Sequence, residues 1–130
     1  MRRPPFSVYL EACMALAMAR MALLARPSKT HFSASVGGAP ASEEQVALIH
    51  RTLTAASRRL PFRTLCYEQA LAARTMLARR RLSSRLHFGT GKTDGDLTAH
   101  VWLTSGERIV VGADEAARHI ELARSPEPEA

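Results

Sequence analysis

With 130 residues, the chain has room for one domain, or for one small domain and an extension. Hydrophobic residues at 46% and charged ones at 23% are ordinary globular composition, and the +6 formal charge comes almost wholly from arginine. No nucleic-acid-binding signature, stacking-aromatic run or zinc pattern accompanies that charge, so nucleic acid is set aside, and anionic lipid or an acidic peptide is left as its counterpart. Cys13 and Cys66 make no disulfide framework and fit a reducing cytoplasm.

Phe6 to Arg26, rich in alanine, methionine and leucine, predicts the first helix. The opening Met-Arg-Arg and a later Ala-Pro-Ala-Ser resemble a secretory signal. Glu11 and Arg20, however, leave only eight uncharged residues between them, too few for a membrane span or a signal core. The segment therefore reads as an amphipathic helix. Its methionine-rich face suits a partner, packing within the protein is the competing expectation, and membrane association of this helix is the lesser one. Pro27 ends it. Residues 28–41, with Gly37-Gly38 and Pro40, read as linker. Residues 1–41 are thus expected to form a helix and linker, 42–124 the folded domain, and 125–130 a disordered tail.

Ser42-Glu43-Glu44-Gln45 predicts a capping box. Val46, Ile49, Leu53, Ala56 and Leu60 then form one apolar stripe, leaving Arg51, Arg58 and Arg59 to water. Pro61 marks a turn, and Thr64 is the expected N-cap of a third helix with Cys66 at its second position. There, unpaired N–H groups and the positive dipole end favour an anion, drawing a thiol down from ~8.5 toward thiolate. Cys66, Ala70, Ala73 and Leu77 share the packed face of that helix.

Arg79-Arg80-Arg81 closes the helix and reads as a solvated run. Arg85 to Phe88 predicts a short strand ended by Gly89. Gly89-Thr90-Gly91-Lys92-Thr93 lacks the glycine spacing and the following helix of a phosphate loop, so a hairpin turn is expected there. Leu97 to Leu103 alternates as a two-faced strand, Ser105-Gly106 turns the chain, and Arg108 to Val111 returns. A three-residue loop sets His100 opposite Gly112 with Asp114 diagonal on the same face; a two-residue loop turns Asp114 away. Asp114 to Arg124 reads as helix.

A cysteine at a helix start with a histidine on a strand is an arrangement for nucleophilic catalysis. The bland alternatives are a small buried thiol and a satisfied polar histidine. Trp102 either walls such a site or packs in the core, and His87 reads as a surface residue. His31, His50, His87, His100 and His119 show no metal-ligand spacing.

Leu65-Cys66-Tyr67-Glu68-Gln69-Ala70-Leu71-Ala72, Leu77 to Arg81, Leu86-His87-Phe88-Gly89, Ala99-His100-Val101-Trp102, Gly106 and Val110-Val111-Gly112 together resemble the transglutaminase-like lasso-peptide maturation proteases. The resemblance covers roughly Arg58 to Leu122, and its specific part is the ordered combination of these pieces. It implies an α+β fold, a transglutaminase- or papain-like cysteine peptidase core with a Cys-bearing helix on a small antiparallel sheet, preceded by N-terminal helices. It implies a cytoplasmic thiol peptidase without cofactor that removes the leader from a ribosomally made precursor. Cys66 is then the nucleophile and His100 the base. Asp114 is the third residue, although family members place an aspartate where Gly112 stands; Glu107 is a weaker candidate, and a dyad without an acid is a further one. The implied partners are the precursor's leader peptide, a separate leader-recognition protein and an ATP-dependent lasso cyclase. A transglutaminase-like acyltransferase and a non-catalytic basic peptide-binding module are the competing functions.

Overall fold

The computed structural model describes residues 5–25, 37–60, 66–93, 95–112 and 120–124; for Leu23, Cys66, residues 90–93 and 96–100, and the 120–124 segment it describes the backbone alone. The elements in chain order are α1 (Phe6–Ala25), α2 (Glu43–Arg59), α3 (Cys66–Arg79), β1 (Arg85–Thr93), β2 (Asp96–Ser105), β3 (Arg108–Val111) and β4 (Ile120–Arg124). The strands form one antiparallel sheet in the order β3-β2-β1-β4, and α3 packs against α1, α2 and β2. This is an α+β fold.

Local chemistry accounts for the start of α2. Ser42 Oγ accepts from the Gln45 backbone N–H at 3.2 Å, and Gln45 Oε1 accepts from the Ser42 N–H at 2.9 Å. The expected stripe is the buried one: Ile49, Leu53 and Ala56 are fully covered, Val46 and Leu60 partly, with Arg58 and Arg59 exposed and Arg51 half-buried. One core unites the three helices and the sheet, from Ala12 and Leu16 of α1 through Met76 and Leu77 of α3 to Leu86, Val101, Leu103 and Val110. Burying such side chains supplies about 1.5–3 kcal/mol each before entropy is counted. Helix α3 is covered on all sides at Ala70, Leu71, Ala72 and Ala73, consecutive buried residues that span a whole turn, while Thr75, Ala78 and Arg79 further along are exposed. Small side chains let its neighbours approach that closely.

Several expectations are corrected. Helix α1 is not amphipathic: Ala12, Ala15, Leu16 and Ala19 face the core, while the opposite side carries exposed Phe, Leu and Met. Arginine 80 is not solvated, since its guanidinium grips Glu11 of α1 with two bonds of 2.8 and 2.7 Å. Strand β1 does not stop at Gly89 but runs on through the glycines to Thr93, paired residue for residue with β2. The chain instead reverses between Thr93 and Asp96, which pair with each other, and Gly95 takes a left-handed φ of 85°. Residues 120–124 are strand rather than helix, because a sheet edge was open at β1 and they pair there, with a bulge between Phe88 and Gly89. The Thr64 cap and the 125–130 tail lie outside the described residues.

Residues 37–42 are strapped to one end of the sheet, where the start of β1 lies beside the end of β2. Ala39 O accepts from Ser83 N–H at 2.8 Å, and the Ala41 N–H donates to buried Ser105 Oγ at 2.8 Å.

Candidate active site

Cys66 is the first described residue of α3, and the five residues before it, Thr64 among them, lie outside the described ones. The first-turn N–H groups of a helix have no partner within it and converge on whatever lies ahead of it. Glu68 places a negative charge in that turn. Its side chain is 2% exposed, and Arg20 Nη1 of α1 donates to Oε1 at 3.0 Å. Oε2 has no hydrogen-bond partner among the described residues, so Arg20 carries the compensation of a buried carboxylate alone. Arg79 and Arg80, at the other end of α3, meet Glu11 of α1 at 3.1 and 2.7 Å. Their guanidinium groups, Arg80's hydrogen bond first, hold the Glu11 carboxyl below its ordinary value against the opposing effect of burial. Two ion-pair clamps, one near each end, therefore fix α3 on α1. Beside Cys66, burial pushes the Tyr67 phenol up, with Arg74 opposing, so it is a protonated donor at neutral pH.

His100 lies in β2 with Gly89 of β1 as its cross-strand partner. Side chains alternate along a strand. Val101 and Leu103 occupy the row that joins the helical core, and Trp102 and Thr104 occupy the other. Trp102 is 4% exposed yet stands outside the common core. The His87 ring stacks on it, with centroids 5.6 Å apart and planes 5° from parallel, and is itself only 7% exposed. His87 Nε2 is 2.7 Å from Thr104 Oγ1. The surface expectation for His87 is thus overturned. The signal was in the sequence: once Thr93 is paired with Asp96, counting back pairs His87 with Trp102.

The β2–β3 hairpin resolves the register differently from either expectation. Ser105 pairs with Arg108 around a two-residue Gly106-Glu107 turn, and a shift then sets Leu103 opposite Val111. Gly112 follows with φ 87°, and a Cβ built there would stand 2.5 Å from the Trp102 Cβ. Asp114 lies outside the described residues. Glu107 is exposed in the turn. Among the described residues no group of three His, Cys, Asp or Glu is placed to hold a metal. None of the described helices is long and apolar enough to cross a membrane.

A helix carrying a cysteine at its head, packed on an antiparallel strand that carries a histidine, is an arrangement suited to acyl transfer. Comparison with known families agrees at the level of the fold: the profile of the transglutaminase-like superfamily matches residues 7–123. No curated protein and no solved structure matches the chain. That superfamily includes cysteine peptidases and acyltransferases, and cysteine-dependent catalysis is common in it. The match spans α1 as well as the sheet, and on it the chain belongs to the transglutaminase-like superfamily.

Proposed function

We propose that the chain is a cytoplasmic cysteine peptidase that removes the leader from a ribosomally synthesised lasso-peptide precursor. The observation that supports this reading is the position of Cys66, the first described residue of a helix that packs against the strand bearing His100. His100 keeps Cys66 ionised, and the thiolate attacks the carbonyl at the leader–core junction. The N–H groups at the head of α3 stabilise the tetrahedral oxyanion. Protonated His100 gives its proton to the leaving amine, forming a thioester, and water then releases the acyl group and restores the thiol. Asp114 is the proposed orienter of His100. The reading takes the leader peptide as substrate, a separate leader-recognition protein as helper, and an ATP-dependent cyclase as the next partner.

The test is digestion of a precursor by the chain with its leader-recognition helper, followed by mass spectrometry. Wild type releases the leader; Cys66→Ala and His100→Ala lose at least about a thousandfold in rate, the scale of a removed nucleophile or base. Retention of an added amine in the product makes the chain an acyltransferase instead. Iodoacetamide alkylation of Cys66 checks the dyad independently. A paired thiolate reacts well below pH 8, and His100→Ala removes that low-pH reactivity. Alkylation that tracks an ordinary thiol in both proteins overturns the dyad.

A further inference from the structure

The outer face of α1 is the largest feature that neither the fold nor the proposed chemistry uses. Phe6, Leu10, Met14, Met18, Met21 and Leu24 are 46–75% exposed. At 100° per residue they fall within an arc of about 120°, directly opposite the buried Ala12, Leu16 and Ala19. Together they present on the order of 700 Å² of apolar side chain along a helix about 30 Å long, more than the few hundred Å² a monomer ordinarily exposes in one patch.

The borders of this ridge are basic on both sides. On one border Arg79 and Arg80 reach Glu11. On the other, the Arg59 guanidinium lies 5.9 Å over the Tyr9 ring, next to exposed Arg58, and Arg20 reaches Glu68. Glu11 and Glu68 are the acidic residues of α1 and α3, and both are already bonded to arginines. The border charge is therefore net positive.

We propose that this face is the docking site for a separate polypeptide that presents an apolar helix bordered by aspartate or glutamate. A second copy of the chain brings the same arginines to both borders and is opposed by like charge. Three methionines fill the middle of the ridge, and its one aromatic residue, Phe6, stands in the first turn. Thioether side chains mould to another packed surface, whereas in-plane membrane helices lean on aromatic anchors. Arginine also pairs with carboxylates through two parallel bonds, a geometry that favours acidic side chains as the border partners. The proposal does not depend on the peptidase reading.

The experiment uses the full chain and two synthetic 20-residue helices with one common leucine stripe, bordered by glutamate in one and by lysine in the other. Fluorescence anisotropy measures binding at 50 and 300 mM NaCl. The glutamate-bordered helix is expected to bind at least tenfold tighter than the lysine-bordered one at low salt, with the gap narrowing at high salt. Met14→Glu with Met18→Glu abolishes binding, and Arg58→Glu with Arg59→Glu weakens it about tenfold, helicity being unchanged by circular dichroism. If the arginine variant fails to fold, the salt series on wild type supplies the same readout. Equal binding of both helices, or binding indifferent to the methionine variant, overturns the proposal. So does preferential uptake by vesicles of 30% phosphatidylglycerol in phosphatidylcholine, or a dimer in sedimentation that the methionine variant dissolves.

Discussion

Helices α1 and α3 lie side by side, yet they are built on opposite plans. Helix α3 is closed in all round at residues 70–73 and uses alanine there. Helix α1 contributes alanines and Leu16 to the same core but leaves Phe6 and its methionines outside. The helix that carries Cys66 is held by packing; the helix beside it is finished on one side only. Apolar content alone therefore does not say how deeply a helix is buried, because in α1 two apolar faces cancel each other's directional signal.

The sharpest way to break the contrast is to hollow out α3. Leu77→Ala is expected to cost about 2–5 kcal/mol in urea unfolding, the range for a fully buried leucine that leaves a cavity. Next comes the clamp between the helices. Arg20→Met strands the Glu68 carboxylate in the interior and is expected to cost about 3 kcal/mol, the lower end for a broken buried pair, because Arg20 keeps partial access to water. Adding Glu68→Gln to that variant should recover part of the loss. Glu11→Gln is smaller, about 1 kcal/mol at pH 7. Its sign against pH follows from the lowered carboxyl. The stabilisation is present above the ordinary value of 4.5 and fades as pH falls through the depressed one, so wild type and variant converge in acid. Met18→Ser on the outer face should change stability by less than about 0.5 kcal/mol, as exposed sites do. A cost near that of Leu77→Ala would mean the face is covered and the two helices are alike.

Much of this fold was legible where one local rule acted alone. The Ser42–Gln45 box fixed the start of α2, period-3.6 spacing found its stripe, and alternation found β2 and β3. Legibility failed where a long-range partner decided the outcome. Glycines 89 and 91 look like a turn until β2 pairs with them; residues 120–124 look helical until the open edge of β1 takes them in. His87 looked exposed because its cover, Trp102, is 15 positions away. Of the candidate site, the helix-head cysteine was readable from the proline, the threonine and the following apolar repeat. Arg80 and Glu68 were not, because ion pairing across 69 and 48 residues leaves no trace in either segment.

Gly112 sets a condition on the outer row of the sheet. A methyl group at that position would collide with the Trp102 Cβ, and the backbone there already takes a φ that other residues avoid. Replacing this hydrogen would press the indole away from its imidazole neighbour. The chain thus has one narrow gate at the end of β3, passable only by the smallest residue, and the aromatic pair keeps its alignment only while that gate stays empty.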